Sequence, residues 1–249
     1  MNVLASRMKP LERSTRAAAL PGDATILRHL GGRDPWHRVR KPQYQLQMIK
    51  DLAALLPGGP CRVLDIGAGS GLIGEAIAAL FPGKTVTGLD VALRPLPNLR
   101  IPLMKFDGRR LPFADASFDC ALLCNVLHHV KPEARSELLR EALRVTDGGP
   151  IVVKDHLAGG PLDGARLWLL DLLGNALQGG MVSASYLAPG DWEALLRELG
   201  CEAELLPVSA YRKSPSAWCF PNSLEVCLRI SATDRPRTGG IIAAATLAR

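Results

Sequence analysis

The most informative stretch of the sequence is CRVLDIGAGSGLIGEAIAALF, residues 61–81. It begins with an apolar run that predicts a strand, continues into a turn containing Gly67, Gly69 and Gly71, and ends in an apolar run with helical spacing. Glycines in such a turn allow the backbone to approach a ligand closely. The stretch therefore predicts a ligand-binding loop at the edge of a sheet.

The residues around this loop restrict the kind of ligand. Gly69, Gly71 and Gly74 satisfy the dinucleotide pattern G-x-G-x-x-G, but Asp65 at the strand end would repel a pyrophosphate. No Lys or Arg lies between Asp65 and Lys84, so the lysine that a P-loop needs is missing. A cationic ligand suits the loop better, and S-adenosylmethionine carries a sulfonium and an ammonium group with only one carboxylate.

Strand and helix patterns alternate along the rest of the chain. The sequence predicts strands at 62–66, 85–89, 118–124, 151–154, 202–208 and 223–230, and helices at 44–56, 132–145 and 192–199. Such alternation is typical of a parallel, doubly wound sheet. We expect a Rossmann-like α/β fold with a mostly parallel, seven-stranded sheet and an antiparallel last strand.

This pattern divides the chain into five parts. We expect an N-terminal arm and cap helices at 1–58, a cofactor-binding core at 59–156, an inserted helical lid at 157–190, the C-terminal part of the core at 191–231 and a loose tail at 232–249. The lid is predicted because this connection is unusually long and contains an apolar helical pattern. Padding of the sheet, or formation of a homodimer, is the alternative role for the cap and the lid.

Three motifs resemble those of a known family: Val63–Gly71, Leu89-Asp90 and LPFADASFD at 111–119. From Arg62 to His156 the sequence resembles the class I S-adenosylmethionine-dependent methyltransferases, in particular the small-molecule branch similar to ubiquinone and menaquinone biosynthesis enzymes, with a methyltransferase type 11 domain. The resemblance implies S-adenosylmethionine as cofactor and S-adenosylhomocysteine as product.

The resemblance also assigns cofactor-binding residues. Asp90 lies at about the distance from the loop expected for an acid that binds two ribose hydroxyls. By resemblance, Asp107 accepts a hydrogen bond from the adenine amino group, with Phe106 or Gly108 against the ring. The complete implied set is Asp65, Gly67, Ala68, Gly69, Gly71, Asp90, Val91, Phe106, Asp107, Gly108 and Asn125. Plain turn or cap roles are the alternative for Asp90 and Asp107.

Histidines follow two predicted strands, at the edge where open α/β sheets bind ligands. A hydroxyl is a poor nucleophile until a base takes its proton, so we expect His156 beside Asp155 to be the first candidate base and His128 the second. Structural roles, or catalysis by positioning alone, remain the alternatives. The residues expected to bind the substrate are His129, Trp168, Asn175, Tyr186, Trp36 and Tyr44.

We predict no metal site from the sequence. Cys120, Cys124 and His128 have a spacing that invites a zinc interpretation, but both cysteines lie in an apolar strand and are expected to pack as small hydrophobic residues. The six cysteines contain no CxxC pair, which indicates reduced thiols rather than a disulfide framework. With no run of eighteen apolar residues and no signal-peptide pattern, we expect a cytoplasmic protein without a membrane span.

The expected function is methylation of a small, apolar metabolite at oxygen or carbon, in secondary metabolism or on a lipid-like or quinone-like substrate. One alternative is a non-methylating cyclase, rearrangement or decarboxylation enzyme that keeps the cofactor as a structural element. The other is a nucleic-acid methyltransferase, which only the net charge of +6 supports. Scattered basic residues, and Asn125-Val-Leu-His128 in place of an Asn-Pro-Pro-aromatic motif, favour a small molecule and no nucleic acid.

Overall fold

The computed structural model describes residues 7–11, 21–33, 42–175, 184–207, 209, 211–212 and 216–233. Its strands are β1 (Met8–Pro10), β2 (Cys61–Ile66), β3 (Lys84–Asp90), β4 (Leu103–Lys105), β5 (Cys120–Cys124), β6 (Ile151–His156), β7 (Cys201–Leu205) and β8 (Glu225–Ala232). Its helices are α1 (Asp23–Arg33), α2 (Pro42–Leu55), α3 (Leu72–Leu80), α4 (Pro132–Val145), α5 (Asp163–Asn175), α6 (Pro189–Glu198) and α7 (Ser216–Cys219).

The strands form one sheet in the order β1-β7-β8-β6-β5-β2-β3-β4. β8 pairs antiparallel with β6 and β7, and the other pairings are parallel. The Rossmann-like fold, its mostly parallel sheet and its antiparallel last strand are therefore confirmed. From β2 the chain first builds β3 and β4 on one side and then crosses to β5 and β6 on the other. This reversal places a cleft at the carboxyl ends of β2 and β5, where such sheets bind ligands.

Helices cover both faces of the sheet. α1, α2 and α3 pack on one face, and α4 and α6 pack on the other. Burial on both sides explains why the four residues from Val63 to Ile66 are all buried, instead of alternating between buried and exposed. α2, which we expected to be part of a cap, packs its buried Ile49, Leu52 and Leu55 in the same cluster as the strand residues Val63 and Val152.

The sheet has eight strands rather than the predicted seven, because part of the expected N-terminal arm is a strand. β1 lies parallel to β7 at the sheet edge. The Ala203 amide donates to Arg7 O at 2.8 Å and the Leu11 amide donates to Leu205 O at 2.9 Å. The sequence Met8-Lys-Pro10 has no pattern typical of a strand. This segment is extended because it pairs with the free backbone groups at the edge of β7.

Two further expectations concern cysteines and membranes. All six cysteines are free, so the absence of a disulfide framework is confirmed. None of the helices in the described part of the chain combines the length and hydrophobicity that a membrane crossing requires.

Two tryptophans allow a matched test of the core. Trp192 on α6 is 0% exposed, whereas Trp218 on α7 is 76% exposed. We expect Trp192→Ala to lower the free energy of unfolding by about 3–5 kcal/mol, because it leaves a large cavity beneath the sheet. Trp218→Ala should change it by less than about 0.5 kcal/mol. Urea unfolding followed by circular dichroism measures both, and equal losses would contradict this assignment of the core.

Candidate active site

The loop after β2 has the backbone that the glycines predict. Gly67, Gly69 and Gly71 have φ angles of 75°, 57° and 81°, in the left-handed region that favours glycine. A Cβ on Gly67 would lie 2.5 Å from Val126 Cγ2, so no larger residue fits there. A Cβ on Gly69 would meet nothing within 4 Å, so the loop leaves open space at this glycine.

Asp90 connects the end of β3 to this loop. Its carboxylate accepts hydrogen bonds from the Gly69 amide at 2.7 Å and the Ala92 amide at 2.8 Å. The structure therefore brings the first two motifs of the sequence together, and the ribose-binding role of Asp90 stays a prediction.

Asp65 is an ionisable group without a partner. Its side chain is 2% exposed, and its Oδ2 has no hydrogen bond to any residue that the structure describes. Burial, with a further contribution from the Asp90 carboxylate, raises the pKa of Asp65 to about 7. A buried carboxyl group of this kind is stabilised by a cation or a hydrogen-bond donor. The site therefore fits a cationic ligand such as S-adenosylmethionine.

The third group of cofactor residues follows β4. Asp107 caps the turn behind it, because its Oδ1 accepts hydrogen bonds from the Arg109 amide at 2.8 Å and the Arg110 amide at 3.2 Å. Those backbone donors, Arg109 first, lower the pKa of Asp107. A Cβ on Gly108 would lie 3.2 Å from Val91 Cγ1, so the segments after β3 and β4 adjoin. The roles of Phe106 and Asp107 at an adenine ring stay predictions.

Asn125 lies just beyond β5 with a φ of 56°, a strained value for a residue other than glycine. Its side chain contacts Tyr44 on α2: the Asn125 amide donates to the Tyr44 hydroxyl at 2.8 Å, and the hydroxyl lies 3.1 Å from Asn125 Oδ1. Lys154 Nζ lies 5.3 Å from the centre of the Tyr44 ring. A residue expected at the substrate and one expected at the cofactor are thus direct neighbours.

Asp155 organises the histidines differently from our expectation. Its carboxylate contacts His128 Nδ1 and accepts hydrogen bonds from the Leu127 amide at 2.8 Å and from the backbone amide of His156 at 2.7 Å. It therefore orients the His128 ring and not the His156 ring. Burial lowers the pKa of His128, but the charge and hydrogen bond of Asp155 together with the charge of Asp171 outweigh burial, and the net shift of the pKa is upward.

The His128 and His156 rings are close neighbours. Their ring centres are 4.8 Å apart, and both rings face Asp171 on α5. Asp171 Oδ2 lies 3.6 Å from His128 Nε2, and Asp171 Oδ1 lies 3.6 Å from His156 Nε2. The Tyr186 hydroxyl donates to Asp171 Oδ2 at 2.6 Å, and its ring stacks on His128 with centres 5.6 Å apart. We call His128, Asp155, His156, Asp171 and Tyr186 the histidine cluster.

Backbone contacts hold part of the expected lid against this cluster. The Ser185 amide donates to His128 O at 2.7 Å. Arg135, buried on α4, donates to Leu127 O at 3.0 Å and also to Ser185 O. Leu157 and Leu187 form a parallel bridge, so both ends of the 157–187 connection lie close to β6.

The remaining expected substrate residues are less clearly placed. The His129 ring lies 4.0 Å from the His128 ring, measured between centres. Trp168 is 50% exposed on α5, and Asn175 is the last residue of that helix. Trp36 lies outside the described residues.

Asp171 is the functional candidate that the sequence prediction missed. The only feature of the sequence that could have indicated a role for Asp171 is that it is an acidic residue within the apolar run LWLLDLL, at 167–173. Burial raises the pKa of Asp171, but the His156 ring and the Tyr186 hydroxyl outweigh burial and keep the pKa at about 2.

Comparison with known proteins identifies the central segment. Residues 64–153 match the family described as a methyltransferase domain. A malonyl-[acyl-carrier protein] O-methyltransferase of Legionella pneumophila is 29% identical over 104 residues, which cover 38% of this chain and 37% of the relative. A ubiquinone biosynthesis O-methyltransferase of Cereibacter sphaeroides is 35% identical over 112 residues, which cover 41% of this chain and 44% of the relative. The chain thus spans less than half the length of these relatives.

Solved structures share the architecture over most of the chain. A SAM-dependent methyltransferase of Thermotoga maritima has a TM-score of 0.54 and 19% identity, covering 84% of this chain and 98% of its own. The [4+2]-cyclase SpnF has a TM-score of 0.54 and 18% identity, covering 86% of this chain and 97% of its own. At these identities the likeness shows the fold alone.

The buried Asp65 carboxyl should make stability depend on pH. Its pKa is about 7 in the folded chain against an ordinary 3.8, so ionising it costs folding free energy as the pH rises from about 4, and the cost is complete above about 7. We expect Asp65→Asn to raise the free energy of unfolding relative to the parent protein, with a gain on the order of 2 kcal/mol larger at pH 8 than at pH 5. Urea unfolding without ligand at both pH values measures the difference. A gain that is the same at both pH values would contradict the raised pKa.

Proposed function

We propose that this chain, whose central segment is a class I S-adenosylmethionine-dependent methyltransferase domain, transfers a methyl group to an oxygen atom of a small molecule. The observation that carries the proposal is the buried Asp65 carboxyl, whose Oδ2 has no hydrogen-bond partner among the described residues, beneath a glycine loop that Asp90 supports. The O-methyltransferase names of the two relatives favour oxygen over carbon as the acceptor.

The cofactor would lie along the carboxyl ends of β2, β3 and β4. S-adenosylmethionine supplies an electrophilic methyl group attached to a positively charged sulfur. In our assignment Asp65 offsets positive charge, Gly67, Ala68, Gly69 and Gly71 provide close backbone contact, and Asp90 accepts from the ribose hydroxyls. Val91, Phe106, Asp107, Gly108 and Asn125 complete the proposed cofactor surface.

The histidine cluster would receive the acceptor. It lies at the ends of β5 and β6, next to the cofactor end of β2 in the sheet order. It contains two imidazoles and two carboxylates, the residue types that assist removal of a proton from a hydroxyl. We propose that His156 and His128 act on the acceptor from this cluster, with Tyr44 and His129 nearby.

The lid assignment remains a proposal of the same kind. α5 brings Asp171 to the cluster and the segment at 184–187 brings Tyr186, so both parts of the expected lid contribute side chains to the same place. We propose that they cover the acceptor and exclude water during transfer. An apolar acceptor suits this arrangement, since α5 is apolar apart from its polar positions at 163, 166, 171 and 175.

A change at Asp90 tests the cofactor assignment. We expect Asp90→Ala to weaken S-adenosylhomocysteine binding by roughly 1.5–3 kcal/mol, because hydrogen bonds to a charged group have about that strength. Asp115→Ala is the matched control, since Asp115 is exposed and pairs with Arg144 at 2.7 Å. Isothermal titration calorimetry measures both affinities. The proposal fails if the parent protein binds NAD or ATP but not S-adenosylhomocysteine.

A change at His156 tests the acceptor assignment. We expect His156→Ala to lower the methyl-transfer rate by about 10²–10⁴ while cofactor affinity stays nearly constant, because help with the acceptor proton acts in the transition state. His29→Ala on α1 is the control and should retain the parent rate. Methylated product is measured by mass spectrometry after a screen of candidate hydroxyl compounds. Near-full activity of His156→Ala would contradict the proposal that the His156 ring assists removal of the acceptor proton.

A further inference from the structure

Three side chains of the histidine cluster have the composition of a metal site. His128, His156 and Asp171 each offer one ligand atom, and these atoms all lie within 4.8 Å of one another. The Asp171 carboxylate is 3.6 Å from the Nε2 atom of each ring. Ligands bound to one ion at about 2.0–2.1 Å in tetrahedral geometry lie about 3.3 Å apart, so small rotations of the side chains would complete the arrangement.

The hydrogen bonding leaves the metal-binding atom of His128 available. Carboxylates in their ionised form only accept, so His128 donates from Nδ1 to Asp155. Its Nε2 is buried and has no hydrogen-bond partner among the described residues. A histidine whose one nitrogen donates to a carboxylate while the other faces a cluster of ligands is the arrangement that orients metal-binding imidazoles. The Tyr186 hydroxyl holds the Asp171 carboxylate in a comparable way.

The charges of the cluster also favour a cation. Asp155 is 0% exposed and Asp171 is 6% exposed, so two carboxylates are buried beside the two rings. Arg135 lies near enough to Asp155 to interact with it electrostatically, but its Nε donates to the backbone oxygens of Leu127 and Val130 rather than to the carboxylate. Buried carboxylates are stabilised by a proton on a neighbouring ring or by a metal ion.

We propose that His128, His156 and Asp171 bind one divalent transition-metal ion and leave a coordination position open for the acceptor oxygen. Two imidazoles and one carboxylate suit Zn²⁺ and its neighbours rather than Mg²⁺, which prefers oxygen ligands. Three protein ligands with an open position are typical of catalytic sites. The proposal that the acceptor oxygen occupies the open position rests on the proposed function. The proposal that an ion binds rests only on the geometry of the three side chains.

The ion would activate the acceptor. With both rings bound to the ion, His128 and His156 would act on the acceptor through it and not as free bases. A divalent cation lowers the pKa of an oxygen bound to it, so an acceptor hydroxyl at the open position loses its proton to water more readily. The acceptor oxygen then forms the bond to the methyl carbon, and the sulfur keeps the electron pair of the bond that breaks. Asp155 is in this scheme a positioning residue, since it touches the His128 ring and not the acceptor.

Binding of Co²⁺ alone tests the site. The full chain is treated with a chelator, dialysed and titrated with Co²⁺, using visible absorption and calorimetry as readouts. All of these titrations use protein that carries the substitution Cys219→Ser, because the exposed Cys219 thiol could itself bind the ion. We expect one equivalent of Co²⁺ to bind and Zn²⁺ to displace it.

Substitutions at Asp171 and Tyr186, with a control on the same helix as Asp171, test which side chains contribute to Co²⁺ binding. Asp171→Asn keeps the shape of the side chain but should weaken Co²⁺ binding at least about 100-fold, and Tyr186→Phe should weaken it about 10-fold. Asp163→Asn, in the first turn of the same helix, should leave it unchanged. Absence of Co²⁺ binding by the parent protein, or equal binding by Asp171→Asn and the parent, would overturn the proposal.

Cofactor binding separates this proposal from the proposed function. S-adenosylhomocysteine affinity is measured on the same chelator-treated protein and should be unaffected, since Asp65 and Asp90 lie outside the cluster. Lost methyl transfer that Zn²⁺ restores would support the role of the ion, and full activity without metal would overturn that role. Failure to bind S-adenosylhomocysteine would instead reject the methyltransferase assignment and leave the Co²⁺ result standing.

Discussion

The candidate site depends on one buried carboxylate, that of Asp155. It accepts hydrogen bonds from the backbone amides of Leu127 and His156, and it contacts the His128 ring. It therefore joins the turn after β5 to the end of β6, two segments that are adjacent in the sheet but separated by α4 in the chain. Asp155 thus fixes the orientation of the His128 ring and the position of the His156 backbone, whereas the His156 ring faces Asp171 and Tyr186.

The sequence was most informative where local pattern and chemistry agree. The apolar run before Gly67, the glycines themselves and the position of Asp90 together predicted the loop and the strands that support it, because each feature follows from nearby residues. The β1 strand was not predictable in this way, since Met8–Pro10 acquires its structure from the distant edge of β7. Asp171 was missed for the same reason: its partners are on β6 and in the turn after β5, and nothing near it in the chain indicates them.

The surroundings of Asp65, where we propose that the cofactor binds, and the histidine cluster, where we propose that the acceptor binds, differ in how their buried charges are stabilised. Asp65 is buried, its Oδ2 has no hydrogen-bond partner in the described part of the chain, and its pKa is raised, so the unliganded fold bears a cost that a cationic ligand would remove. In the histidine cluster, Asp155 and Tyr186 instead hold the His128 ring and the Asp171 carboxylate in place, while His128 Nε2 and His156 Nδ1 have no hydrogen-bond partner among the described residues. Sites of the first kind favour ligand binding at the expense of stability, and sites of the second kind fix geometry.

The position of β8 has a consequence for how the chain folds during synthesis. β8 lies between β6 and β7, and its first residue, Glu225, pairs with His156. Glu225 also forms a buried ion pair with Lys154 and is contacted by Arg212. A nascent chain that has emerged only as far as β7 therefore has an open edge on β6, and Lys154 lacks its Glu225 partner. The strands where we propose that the cofactor binds can assemble early, but the edge of β6 beside the histidine cluster is completed only by almost the last described strand residues, so long-range pairing should limit the rate of its formation.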